Sequence, residues 1–411
     1  MNETKKPAVR FKGFSDEWEQ QKFNDILEKY EDPVATPHDG YERLGVRSHA
    51  KGTFHSYVAP GAELEAAQMH RVAANKMLFN ITFAWEHAVA ITDEIDAGKL
   101  VSHRFPQFSF NTEMSPKFFK YVIIDEKFRY HLWLSSPGGA GRNRVLNIPE
   151  MLKYQTYLPE KSEQDMLADW FINLDEWIEQ HQAKLEKLKT LKVAMLEKMF
   201  PKDGADVPEV RFKEFTGGWS KCELGQLCEK FTDGDWIESK DQSNSGIRLI
   251  QTGNIGIAEY LDKPKSKKWI SNETFERLHC EEVFPGDILI SRLPEPAGRA
   301  CIVPDIGVRM ITAVDCTIVR TNSGVSNKFL VQYLSSQRYF DKVNAVLAGG
   351  TRQRISRSNL SSLSILIPKD FKEQEAIGNY FTHLNTVITL QQQKLDKLQS
   401  IKKALLEKMF V

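Results

Sequence analysis

The segment EQDMLADWFINLDEWIEQHQAKLEKLKTLKVAMLEKMF, Glu163–Phe200, returns at Glu373–Phe410 as EQEAIGNYFTHLNTVITLQQQKLDKLQSIKKALLEKMF, without a gap and with the same last five letters. Both copies have helix-forming composition, with a single glycine in the second. Leu167, Phe171, Leu174, Ile178, Leu185, Leu188, Leu191, Met195 and Met199 match Ile377, Phe381, Leu384, Ile388, Leu395, Leu398, Ile401, Leu405 and Met409. Steps of three and four predict a coiled-coil seam. His181 and Gln391 are polar residues at the same seam position; they set register, or are simply solvated helix residues. On either side of Leu188 and Leu398 the pattern steps three and three, a stammer expected to disturb the supercoil.

The repetition reaches beyond the helices. VRFKGF at Val9 matches VRFKEF at Val210, Arg43-Leu44 matches Arg248-Leu249, NKMLFN at Asn75 matches GDILIS at Gly286, and GGAGRNRV at Gly138 matches GGTRQRI at Gly349. The chain therefore reads as module, helix, module, helix: modules at 1–160 and 202–370, helices at 161–201 and 371–411. Each helix is about 57 Å long at 1.5 Å per residue. A two-fold relation between the halves predicts antiparallel helices, with the two modules at opposite ends and the C-terminus near the N-terminus. The expected fold class is α+β, or mixed α/β: two globular modules separated by two long helices that form an antiparallel coiled coil, with an internal pseudo-two-fold repeat. Strands are expected in CIVPDIG (301–307) and ITAVDCTIVR (311–320), and helical spacing runs through NKFLVQYLSSQRYFDKV from Asn327 and FFKYVIIDEKFRYHLWL from Phe118.

Off the seam, Trp170 and Trp177 match Tyr380 and Val387. A second apolar line wants a second surface, either the module of the same chain or the helices of a partner protein.

Motifs for bond-making chemistry are missing. The sequence has no [NDS]-P-P-[YFW] tetrad of an amino-methyltransferase, no phosphate loop and no nuclease-like carboxylate pair, and GGAG lacks the context of a dinucleotide fingerprint. No catalytic residue and no metal ligand set is expected. The five cysteines are odd in number and form no CxxC pair, which suits a reducing compartment. No apolar run approaches a membrane span and no signal peptide is visible, so a cytoplasmic location is expected. Basic and acidic residues balance at 55 each, so any nucleic-acid surface must be local.

Local basic features exist. Arg142 and Arg144 match Arg352 and Arg354 in the glycine-flanked turns before the helices. They hold phosphate or guanine through forked hydrogen bonds, or cap carbonyls and pair with acids at the junction. Arg47, His49 and Lys51 stand in the first module where Thr252 and Asn254 stand in the second, followed by Lys263 and Lys265; Arg292 closes GDILISR. Asn, His and Arg can read base edges, and lysines neutralise phosphate. KPKSKK taken alone also suits a solvated loop.

Two variable modules, each followed by a similar long helix, resemble the specificity subunit of type I restriction-modification systems. Trp18 and Trp219, GDILISR, GGTRQRI, LIP followed by Glu373-Gln374, and the terminal LEKMF carry the likeness. The resemblance implies that each module is a target recognition domain reading one half of a split site in double-stranded DNA, with the coiled coil setting the spacer. It implies two methyltransferase subunits that use S-adenosylmethionine to modify adenine N6. It further implies two restriction subunits that translocate and cut DNA with ATP and Mg. The cofactors would then lie on those partners and none in this chain, which would serve host defence as a non-catalytic subunit. The alternative reading is a protein-binding scaffold with a coiled-coil rod and no DNA specificity.

Overall fold

The computed structural model describes residues 6–63, 68–138, 144–349 and 353–410. Two helices dominate it, Lys161–Lys198 with 38 residues and Phe371–Met409 with 39. The chain divides into two compact units, Met1–His181 with Lys394–Val411, and Gln182–Gln393. Each unit thus holds the start of one long helix and the end of the other.

In the first unit, Glu19–Lys22 pairs antiparallel with Gln155–Leu158. A four-stranded sheet runs in the order Leu27–Tyr30, Gln107–Phe110, Met77–Phe79, Val89–Ile91. A five-stranded sheet runs Pro33–Val34, Met69–Arg71, Leu100–Ser102, Tyr41–Val46, Thr53–Val58. The core is rich in phenylalanine: Phe23, Phe79, Phe108, Phe118, Phe119, Phe128 and Phe171 are all buried. Phe410, from the end of the second helix, stacks on Phe118 at 5.3 Å and meets Trp18 edge-on at 6.3 Å. Leu398, Leu405 and Met409 pack in the same cluster as Leu167, Phe171 and Leu174, so here the two helices run antiparallel.

The second unit repeats the plan. Ser220–Glu223 pairs with Ser364–Ile367. Cys228–Asp233, Cys316–Thr321, Ile288–Ser291 and Ala300–Ile302 form the four-stranded sheet. Gln242–Ser243, Lys268–Ile270, Ile247–Ile250, Met310–Thr312 and Glu282–Val283 form the five-stranded one. Met195, Met199 and Phe200, from the end of the first helix, pack with Ile377 and Phe381 from the start of the second, again antiparallel. At the centre of each five-stranded sheet lies a parallel pair, in which Arg43 faces Leu100 and Arg248 faces Met310. The Arg-Leu repeat of the sequence therefore keeps its place in the fold. Only the short edge strand differs, attached to opposite sides of the sheet in the two units.

The helical spacing after Phe118 and Asn327 resolves into pairs of short helices, Pro116–Val122 with Glu126–Leu134, and Asn327–Tyr333 with Gln337–Ala345. Asp125 and Ser336 cap the second member of each pair by accepting backbone N–H bonds. The lone glycine of the repeat also has a reason. A Cβ on Gly378 would lie 2.6 Å from Lys328 Cβ and 2.7 Å from the Phe329 nitrogen, so the second long helix meets this short helix backbone to backbone.

The seam departs from its expected pattern at one place. Leu191 and Ile401, the residues just after the stammer, are each 39% exposed. Lys192 and Lys402, one position later, are half-buried instead. Two steps of three fall behind a 3.5-residue repeat and rotate the apolar residue outwards. Lys402 pairs with Asp175 and lies over the Tyr121 ring. Burial lowers the Lys192 ammonium from its ordinary value, and nearby Glu259 opposes the shift.

Candidate nucleic-acid interface

The joint between module and helix is built from charged and amide side chains in both units. Arg10 donates from Nε and Nη2 to the Glu163 carboxylate at 2.7 Å each, and from Nη1 to the Asp16 carbonyl. Arg211 does the same with Glu373 at 2.7 and 2.8 Å and with the Gly217 carbonyl. Beside them, the Gln164 carbonyl oxygen accepts from Ser115 N–H and its amide donates to the Pro159 carbonyl; Gln374 serves Ser326 and Pro368 identically, all at 2.9 Å. The Glu-Gln pair that opens each repeat thus clamps each module to its helix. The Val9 N–H donates to the Lys408 carbonyl and the Val210 N–H to the Lys198 carbonyl, both at 2.9 Å, closing each helix end.

With the modules fixed, the divergent polar clusters fall on one topological connection. Arg47, His49 and Lys51 occupy the turn between Tyr41–Val46 and Thr53–Val58. Thr252, Asn254, Lys263 and Lys265 occupy the loop between Ile247–Ile250 and Lys268–Ile270, which joins the matching strands of the second unit. In the first unit the turn is short and held from below. His49 and Ala50 adopt left-handed backbone (φ 62° and 49°), while their N–H groups donate to the carbonyls of Glu86 and His87 at 2.9 and 2.8 Å. Arg47 binds the Thr53 carbonyl and lies 5.5 Å over the exposed Phe54 ring. Arg47, His49 and Lys51 all remain exposed.

In the second unit the loop is long. Lys263, Lys265 and Lys267 are exposed, and Lys267 pairs with Asp262 at 3.3 Å. Asn254 corrects an expectation. Its side chain is 4% exposed, its carbonyl oxygen accepts from the Gln251 N–H, and its amide donates to the Leu261 carbonyl, so it holds its own loop rather than facing outwards. Arg292 corrects another: only 3% exposed, it donates to the Val314 carbonyl and pairs with Asp233 at 3.2 Å. Contacts beside the four-stranded sheet bury Arg292, and the hydrogen bonds of its own loop bury Asn254.

A residue missed at the sequence level does the organising. Arg299 donates to the carbonyls of Thr252, Ile255, Leu293 and Pro296 at 2.7–2.9 Å, tying two loops together. Burial lowers its guanidinium from the ordinary value. Its signal was the preceding Gly298, which has φ 87° and leaves no room for a Cβ against Val343.

Of the glycine-turn arginines, Arg142 and Arg352 lie outside the described residues. Arg354 is about half exposed and 3.6 Å from Asp315. Arg144 lies 4.8 Å over the Trp133 ring and 5.9 Å over that of Trp85. Trp85 is next to Glu86, whose carbonyl supports the His49 turn, so Arg144 and the 47–52 turn converge on one segment. On the helices, Trp170 meets Phe11 edge-on at 6.1 Å, as Tyr380 meets Phe212 at 6.4 Å. Trp170 and Trp177 nevertheless stay 44% and 53% exposed; Tyr380 and Val387 are half-buried. Among the described residues no group of three or more His, Cys, Asp or Glu could hold a metal ion, and no helix is long and apolar enough to cross a membrane.

A family model, the type I restriction modification DNA specificity domain, matches residues 216–400. Residues 216–400 thus carry a domain that matches the type I restriction modification DNA specificity family. The domain covers most of the second module and reaches into the second long helix. The fold is similar to that of the type I restriction-modification system S subunit from M. genitalium: TM-score 0.59 at 13% identity, covering 99% of each chain. It is also similar to a chain from a structure of the assembly and conformational transition of the type I R-M system: TM-score 0.51 at 16% identity, covering 96% of this chain and 97% of that one. The first module repeats the fold of the second, with matching sheets and a matching clamp.

Proposed function

We propose that this chain is the DNA-recognition subunit of a type I restriction-modification complex, each module reading one half of a bipartite site and the long helices setting the spacer. The observation that carries the reading is the shared connection. Two modules clamped to their helices by the same side chains present unlike residues, Arg47, His49 and Lys51 against Thr252, Lys263 and Lys265, on the same strand-to-strand loop. Constant anchoring with variable loops is what two different half-sites require. Lysines supply salt-dependent phosphate affinity, and a few side chains supply discrimination of about 1–3 kcal/mol per base pair.

The chain itself makes and breaks no bonds. Two methyltransferase subunits carry S-adenosylmethionine and modify adenine N6; two restriction subunits carry ATP and Mg. The exposed Trp170 and Trp177, with Tyr380 and Val387, support docking of the methyltransferase helices.

Methylation mapping with the chain and its methyltransferase subunits tests the reading. A split, adenine-containing motif is expected, and four residues inserted into each helix near Leu188 and Leu398 lengthen its spacer. No preference for any bipartite sequence would leave a protein-binding scaffold instead.

A further inference from the structure

We propose that Arg144 reads a guanine in the half-site of the first module, with Trp133 and Trp85 holding its guanidinium flat; the inference rests on the DNA-recognition reading above. Most arginines near the loops and joints are already engaged. Arg10 and Arg211 grip carboxylates, Arg299 and Arg338 bind carbonyls, and Arg320 grips Asp287. Arg144 differs. Its Cζ lies over two indole rings, 4.8 and 5.9 Å from their centroids, and among the described residues no carboxylate or carbonyl takes its N–H edge.

An arginine stacked on aromatic faces keeps its in-plane donors free and loses little further freedom on binding. That fork fits the O6 and N7 acceptors of guanine in the major groove. The surroundings favour a base edge over a phosphate. Trp133 is 44% exposed and stacks on Tyr130, itself 60% exposed, at 5.9 Å and 12°. Broad aromatic faces suit bases and sugars more than a hydrated anion. The second module lacks this device, since Asn344 and Asp341 stand where Trp133 and Tyr130 stand, and its Arg354 sits beside Asp315. The guanine contact is therefore asymmetric, made by the first module alone.

The test uses the full chain with its methyltransferase subunits and duplexes carrying the mapped site. Wild-type binding is measured with each guanine replaced in turn by 7-deazaguanine, which lacks the N7 acceptor. One position in one half-site is expected to lose affinity. Arg144→Ala and Arg144→Lys are expected to lose roughly ten- to hundred-fold discrimination at that position and none in the other half-site. Trp133→Ala weakens the same discrimination, and Trp133→Phe restores part of it, which identifies Trp133 as a positioning residue. Three results overturn the proposal: 7-deazaguanine tolerated everywhere, no guanine in the affected half-site, or Arg144→Ala weakening all sequences equally with a shallower salt dependence, which would mean a phosphate contact. A wild-type complex with no sequence preference would instead overturn the DNA-recognition reading itself.

Discussion

Arg211 and Glu373, 162 residues apart in the chain, meet through two parallel hydrogen bonds of 2.7 and 2.8 Å, and the Glu373 side chain is only 2% exposed. Arg10 and Glu163 repeat the pair in the other unit with Glu163 fully buried. Such a carboxylate depends on its partner, because removing the arginine strands a charge away from water. Arg211→Ala and Arg10→Ala are each expected to lose about 3 kcal/mol of stability. Urea melts of the full chain measure the loss, and unchanged midpoints would contradict it.

The glutamine next to each glutamate makes a narrower prediction. Gln374→Ala leaves the Ser326 N–H without its acceptor in a buried position. The expected cost is about 1–3 kcal/mol. Gln374→Glu keeps the acceptor but sets a buried carboxylate oxygen against the Pro368 carbonyl, and is expected to recover none of the loss in the same melts.

The stammer can be tested by contrast. Leu174 is 4% exposed, and Leu174→Ala is expected to cost about 2–5 kcal/mol. Leu191→Ala and Ile401→Ala, at seam positions by spacing but 39% exposed, are expected to cost under about 1 kcal/mol. A large loss at Leu191 would mean that the seam runs unbroken.

His87 gives the first unit a pH dependence. It is 3% exposed and donates from Nε2 to the Ile123 carbonyl at 2.6 Å. Burial holds its pKa below the ordinary 6.5, opposed by the Ile123 carbonyl and Glu126, and aided by Arg129 and His49. The unfolded chain therefore binds the proton first, and stability falls as pH drops below about 6.5. His87→Gln is expected to flatten the fall in melting temperature between pH 6.5 and 5. An equally steep fall would assign the dependence to other groups.

The helices, the repeat and the mixed helix-and-strand character of the modules were legible because duplication supplies an internal control: a spacing found twice in register is structure. Arg292 and Asn254 were misread for the opposite reason. Whether a polar side chain near a turn faces solvent or turns inward is decided by the path of the folded chain, through the distant strand Cys228–Asp233 for Arg292 and through the closure of its own loop on the Leu261 carbonyl for Asn254. The Trp85–Arg144–Trp133 arrangement joins three segments whose spacing carries no period, so only the fold brings them together. The exposure of Leu191 and Ile401 was half legible, since the stammer was visible but not the lysine that takes the inner place.

The clamp at the far end of the second helix has a consequence for synthesis. Phe410 is built into the aromatic cluster of Trp18, Phe118 and Phe171. When the ribosome has finished Phe200, the first unit still lacks Lys394–Phe410, and at roughly 5–20 residues per second those residues emerge only about ten to forty seconds later. The unit made first is thus completed last, and its aromatic cluster stays open for as long as the rest of the chain takes to be translated.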